Sequence, residues 1–530
     1  MVQIHSTILK KTLPYQCTFG TFVRTHVILL FTLLICFCSV IQFSDHRRCF
    51  KSSQRSRKTL GHWSGEMAGD KTTSEDVRSS RVIRVVFLAL LLDLLGFTLI
   101  LPLLPSILDH YSQTGDGVYQ SLQSVVDWFR GVVGVPMETK YNSVLFGGLI
   151  GSLYSLLQFL SSPITGALSD DYGRKPLLLL TTVSLMASYI LWAFSHSFTI
   201  FLLSRVVGGI CKGNVSLCTA IVADLPCPKA RNKGMAMIGV AFSLGFTLGP
   251  LMGAYFALRL KDAEVFYQGP ALLAVLFSLA DLLFIFFMLP ETLQKGASES
   301  SGIQHSGDLL FPVALFKFTA LTRTQNPPSE QKMLHLKALG LVYFTYLFLF
   351  SGLEFTLSFL THQRFQFSSM QQGKMFFFIG ITMAVIQGGY ARRIKPGHQI
   401  QTVSVAIISL IPAFLLIGIA WNLTLLYSGL FLYSFAAAIV VPCLSTQVSG
   451  HGSASQKGTV MGILRSLGAL ARALGPTVNI ILCIWCNEMC LCGLKLKKHI
   501  IFHILYITVS PLCPAFLKSP GLACAEAGLE

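Results

Sequence analysis

Gly166-Ala167-Leu168-Ser169-Asp170-Asp171-Tyr172-Gly173-Arg174-Lys175 lies between two long apolar runs, near 142–165 and 176–194. Glycine carries no Cβ, so Gly166 and Gly173 suit a tight turn between those runs. The aspartates can cap the following helix or pair with basic groups opposite. Arg174 and Lys175 place positive charge at one end of both flanking segments. A short polar turn holding together two segments that need lipid around them points to a membrane bundle.

The same kind of apolar run recurs from Val82 to Gly475. Each run is near twenty residues, enough to cross a hydrocarbon core of about 30 Å as a helix. In lipid every backbone group must be satisfied within its own segment, which selects helices over isolated strands. Spans are predicted near 82–105, 142–165, 176–194, 198–223, 234–256, 270–289, 338–361, 371–391, 402–420, 424–445 and 459–484, with a poorly formed twelfth near 499–517. The fold class is therefore an all-α membrane protein. Composition agrees: 52% of the 530 residues are hydrophobic and 12% charged, where soluble domains carry about 25% charged.

The net charge of +17 comes from 41 basic and 24 acidic residues and does not point to nucleic acid. Residues 1–66 hold nine Lys/Arg against two Asp/Glu, so +7 of it lies there. Much of the rest is in short loops: Arg174 and Lys175, then Lys229, Arg231 and Lys233, then Arg392, Arg393 and Lys395. A basic excess in alternate loops puts them, and the stretch 293–336, on the cytoplasmic side. The domain reading is an extension over 1–81, expected to lack structure apart from the apolar run 27–43; a six-helix bundle over 82–292; a cytoplasmic linker over 293–336; a second bundle over 337–484; and an atypical tail over 485–530. Met67 opens an ordinary cytoplasmic start, so 1–66 reads as an upstream extension.

The halves carry traces of a repeat. Ser243-Leu244-Gly245 leads to Leu248-Gly249-Pro250, and Ser466-Leu467-Gly468 leads to Leu474-Gly475-Pro476. Gly151 and Gln158 in the second span match Gly380 and Gln387 in the eighth. Repeated halves are a transporter architecture, with the substrate near the midplane between them.

The opening stretch resembles the signature loop of the major facilitator superfamily, G-x-x-x-D-R-x-G-R-R, and Asp171 stands where that pattern is usually basic. The resemblance implies two six-helix bundles and a gate at Gly166, Asp170, Gly173, Arg174 and Lys175. Leu203-Ser204-Arg205-Val206-Val207-Gly208-Gly209 resembles the superfamily's second motif, whose intramembrane Arg is implicated in proton coupling. Gly245-Phe246-Thr247-Leu248-Gly249-Pro250-Leu251-Met252-Gly253 resembles the antiporter motif G-x-x-x-G-P-x-x-G, which marks exporters exchanging substrate for protons; ordinary close helix packing is the other reading of Gly245, Gly249, Pro250 and Gly253. Leu92-Asp93-Leu94-Leu95-Gly96-Phe97 resembles the first helix of drug:proton antiporters. Asp93 lies near the midplane, where a carboxylate must be paired or protonated. It reads as a proton site, with Arg205, or as a static partner for Lys212.

The other intramembrane charges are Lys212, Asp281, Glu354, Arg465 and Arg472. Asp281, on a peripheral helix of this architecture, reads as structural. With Arg205, four basic side chains face three acidic ones, a surplus that favours an anion. Lys212, Glu354 and Arg472 are the expected substrate contacts. Longer stretches such as Tyr141–Gly151 and Phe359–Ser369 are similar to a vertebrate, tetracycline transporter-like branch of the superfamily. That similarity implies export of small organic anions, acidic drugs among them, at the plasma membrane or the inner nuclear membrane, coupled to protons by alternating access. The expected partners are thus organic anions, protons and the lipid bilayer, with no nucleic acid. No cofactor, metal constellation or enzyme triad is read from the residues. The altered position at Asp171 and the tail motivate the alternative, a non-transporting sensor or scaffold, or a transport-defective isoform.

Overall fold

The computed structural model describes residues 65–491, save 134–138, 260–267, 294–305, 323–326, 368, 396 and 452–455. The apolar run 27–43 and the span near 499–517 lie outside the described residues. Among those residues there are helices and no strands. They are α1 (Gly65–Thr98), α2 (Leu104–Ser112), α3 (Gly117–Val133), α4 (Thr139–Tyr172), α5 (Arg174–Ala193), α6 (Phe198–Cys211), α7 (Asn214–Ala223), α8 (Pro228–Arg259) and α9 (Gln268–Met288). Three short helices follow, α10 (Ser306–Leu310), α11 (Pro312–Phe316) and α12 (Thr319–Thr322). Then come α13 (Glu330–Phe365), α14 (Ser369–Gly389), α15 (Gln399–Ile419), α16 (Leu423–Ser449) and α17 (Lys457–Leu491). Nine helical segments among the described residues are long and apolar enough to cross a membrane.

Two departures from the expected spans matter for the site. The stretch Gly166–Lys175 is not a loop. Residues up to Tyr172 continue α4, and the chain breaks only at Gly173, whose φ of 101° lies in the region glycine alone enters cheaply. The span expected over 198–223 is also not continuous. It is interrupted at Lys212 and Gly213, between α6 and α7.

Contacts divide the chain into two units. Within one, Ser404–Tyr433 carries the turn between α15 and α16. There the Asn422 side chain accepts a hydrogen bond from the Leu425 amide at 2.9 Å, and Gly429 lets α16 approach the Ala413 carbonyl and Ile417 closely.

The other unit, Gly61–Val403 with Ser434–Asn479, holds the remaining described helices. In it α1 packs on α8 and α9, α5 on α6 and α9, and α8 on α14. Pro102 and Pro105 end the first span, and α2 starts with a proline in its first turn. Helices α2 and α3 fold over one end of the bundle around a buried aromatic cluster. Tyr111, Tyr119, Phe146, Trp192, Phe198 and Phe201 are its large members. Tyr119 stacks on Phe146 at 4.9 Å, and the Tyr111 hydroxyl donates to the Ser195 carbonyl at 2.6 Å. The linker also contributes to the interior: Leu309, Leu315, Phe318 and Leu321 are buried.

Candidate functional site

The end of α4 is tied to the start of α17. Asp170 Oδ1 accepts from the Gly458 amide at 2.8 Å. Its Oδ2 accepts from the Thr459 amide at 2.7 Å and the Thr459 hydroxyl at 2.8 Å. A carboxylate at a helix N-terminus satisfies orphan amides and meets the positive end of the helix dipole. The approach is close enough that a Cβ on Gly458 would strike Arg174, Ser169 and the Gly166 carbonyl, and one on Gly166 would strike the Gly458 carbonyl.

Arg174 is fully buried and spans three partners. It pairs with Asp170 at 2.7 Å and with Asp224 at 3.0 Å, and donates to Ser169 Oγ at 2.6 Å. None of these contacts uses Asp171, so the unusual acid leaves the network made. Gly173 offers no side chain to cap α5. Glu291, beyond the end of α9, does so instead, accepting from the Arg174 amide at 3.1 Å and the Lys175 amide at 3.0 Å. Lys175 itself donates to the Phe286 carbonyl at 2.8 Å. Burial pushes the Asp224 carboxyl above its ordinary range, and Arg174 pulls it only partly back. Neither Asp224 nor Glu291 was among the expected site residues. Both end an apolar run, and only folding brings them to Arg174.

The glycines of the antiporter-like motif, on α8, face α1. A Cβ on Gly245 would lie 2.6 Å from Leu94 Cβ, and those on Gly249 and Gly253 would collide with Thr98 and with the Leu99 carbonyl. Thr98 Oγ1 seals the contact by donating to the Gly245 carbonyl at 3.0 Å. Pro250 is accommodated inside α8. One turn or two earlier, α8 meets α14: Ser243 donates to Gln387 at 2.8 Å, and Gly239 leaves room for the Gln387 amide.

Between these layers lies a buried polar centre. Lys212, at the break between α6 and α7, pairs with Asp93 of α1 at 2.7 Å, and both side chains are 6% exposed or less. Its ammonium also sits 4.6 Å from the centre of the Phe97 ring. Gly213 makes the break fit, since a Cβ there would lie 2.5 Å from Thr165. The break leaves the Lys212 carbonyl without a helical partner. Gln158 Nε2 donates to it at 3.4 Å, while Gln158 Oε1 accepts from Arg472 of α17 at 3.3 Å. Gln158 thus bridges the two basic residues expected at the substrate. Glu354 of α13 is exposed, and its charge acts on Arg472. Broken helices at mid-membrane commonly expose such groups to substrates and ions.

Arg205 is not with this group. It is buried against the aromatic cluster, its guanidinium 5.2 Å from the Trp192 ring and 5.7 Å from Phe201, with Nε donating to Ser204 Oγ at 3.1 Å. Arg465 lies 5.9 Å from the Phe242 ring.

This fold and this site, a helical bundle with a charged centre and an interlocked end, define a multi-pass membrane transporter rather than an enzyme. Residues 86–476 match the Major Facilitator Superfamily, and the chain belongs to it. Human major facilitator superfamily domain-containing protein 10 is 61% identical over 401 residues, 75% of this chain and 86% of that protein. Tetracycline resistance protein, class B, of Escherichia coli is 24% identical over 436 residues, 81% of this chain and 96% of that one. A solved structure of the human organic anion transporter MFSD10 (TETRAN) superposes with a TM-score of 0.74 at 56% identity, covering 81% of this chain and 99% of that one. The proton:xylose symporter XylE shares the fold, with a TM-score of 0.56 at 15% identity over 80% of this chain and 96% of that one.

Proposed function

We propose that the chain is a secondary active transporter that exports small organic anions, acidic drugs among them, coupled to protons by alternating access. The observation that carries this is Gln158, which joins Lys212 to Arg472 beside the Asp93 carboxylate. Lys212 and Arg472 supply the charge that receives the anion, with Glu354 as the opposing charge. Asp93 is the proton-sensitive group. Ionised, it holds Lys212; protonated, it releases that ammonium. Arg205, expected beside Asp93 at the proton site, sits in the aromatic cluster and is left out of this scheme, and the similarity to an organic anion transporter supports the substrate class.

Gly166, Asp170, Gly173, Arg174 and Lys175 form the gate, shut by the bonds from Asp170 to α17. By the distribution of basic residues this gate is cytoplasmic. The domains are a six-helix bundle over 82–292 and a second bundle over 337–484, joined by the linker 293–336, with the twelfth span assigned to the tail 485–530. The plasma membrane is the proposed site of action, with the inner nuclear membrane as the second candidate.

A second reading, co-transport of proton and anion, is favoured by the Lys212–Asp93 pair. Protonating Asp93 frees a cation, so proton and anion would bind together rather than in exchange. The antiporter-like motif on α8 supports exchange. Flux of a labelled organic anion into liposomes separates the two. Exchange fills vesicles whose lumen is acidic, and co-transport fills vesicles whose exterior is acidic. Flux equal to protein-free vesicles would refute both.

A further inference from the structure

Asp281 was expected to be a structural residue. It sits on α9, which packs against α1 and α5, and is 2% exposed. Yet among the described residues no group hydrogen-bonds its Oδ1. A carboxylate that merely ties helices together would have both oxygens satisfied, because burying an unmet acceptor is costly. The charges of Asp93 of α1 and Lys212 at the α6–α7 break act on it, and its own acts on Tyr189 of α5 and Cys218 of α7.

The charges in this cluster do not balance if every acid is ionised. Asp93 and Lys212 are in contact and cancel each other. An ionised Asp281 would add a lone negative charge in a region without water-like screening. A buried acid in that position neutralises itself by keeping its proton. Its exchange is then tied to where the single ammonium sits.

We propose that Asp281 is a second proton-binding site, which holds one proton while Lys212 is paired with Asp93. On release the carboxyl O–H bond breaks and the proton passes to water, leaving an Asp281 carboxylate that the Lys212 charge favours and the Asp93 charge opposes. This deepens the proton-coupled reading above and rests on it for its place in transport.

The test is infrared difference spectroscopy on the full chain in lipid at neutral pH, reading the C=O stretch of protonated carboxyl groups. Asp281→Asn should lose one component of that band, and Asp281→Glu should keep the component at a shifted frequency. An unchanged band in Asp281→Asn overturns the proposal. If that variant does not fold, an unmoved band in Asp281→Glu overturns it equally. Flux measured on the same wild-type preparation separates the two claims. A band that depends on Asp281 with no pH-driven flux sinks the coupling reading alone; pH-driven flux with no such band sinks this one alone.

Discussion

Replacing Asp170 by Asn tests the gate with little change in shape. Asp170 accepts three hydrogen bonds from the start of α17, one on Oδ1 and two on Oδ2. An amide has one oxygen. Set towards Thr459, it keeps two bonds but as neutral ones, and its NH2 then faces the Gly458 amide. Hydrogen bonds to a charged group are worth about 1.5–3 kcal/mol and neutral ones about 0.5–1.5 kcal/mol. Losing one and weakening two amounts to ~3.5–6 kcal/mol. Water recovers part of this in the open state, leaving about 3 kcal/mol, which is on the order of 100-fold in the closed-to-open ratio. The Arg174–Asp170 pair lies within the α4–α5 corner, so it is present in both states and largely cancels. Spin labels on unnatural amino acids at the exposed positions Tyr172 and Gly450 would report the separation of the two sides while leaving native thiols intact. The expected result is a short distance in wild type and a second, longer population in the variant. Identical distributions would refute the claim that Asp170 holds this end shut.

Asp93→Asn strips Lys212 of its counter-ion. Breaking a buried pair costs about 3–5 kcal/mol. The apparent unfolding temperature should fall, and adding Lys212→Met should restore most of it; a double variant no better than the single one contradicts the pairing. Gly249→Ala pushes a methyl group into Thr98, and overpacking of this kind costs about 1–3 kcal/mol. Thermal unfolding should detect that loss, and wild-type stability would show that α1 and α8 separate freely. His451, outside the spans, gives a pH signature. Burial holds its pKa below the ordinary value, the Gln447 carbonyl pulls it up, and His335 and Lys332 push it further down. The unfolded chain therefore binds this proton first, so stability should decline as pH falls below about 6.5 towards the lower folded value. His451→Gln should flatten that part of the pH profile, and an unchanged slope would exclude His451 as its source.

The bundle was legible in the sequence because span length and apolar content are read residue by residue, without knowledge of neighbours. The close contact of α8 with α1 was likewise foreshadowed by Gly245, Gly249 and Gly253. What could not be read is what depends on a distant partner. Lys212-Gly213-Asn214 is a polar interruption of an apolar span, but that residue 213 must be glycine follows only from the approach of Thr165. Glu291 caps α5 from more than a hundred residues away, and Asp224 reaches Arg174 across fifty. Arg205 reads as an intramembrane charge, but its seat among Trp192 and Phe201 follows from the aromatic cluster that α2 and α3 close over.

In the proposed mechanism the Lys212–Asp93–Gln158–Arg472 centre moves an anion in step with a proton. Purified chain in liposomes, with a labelled organic anion and an imposed pH gradient, tests it most directly. Saturable flux should appear whose direction reverses with the gradient, and Asp93→Asn should retain flux but lose its dependence on the gradient. Flux that ignores the gradient in wild type, or gradient dependence that survives Asp93→Asn, would contradict it.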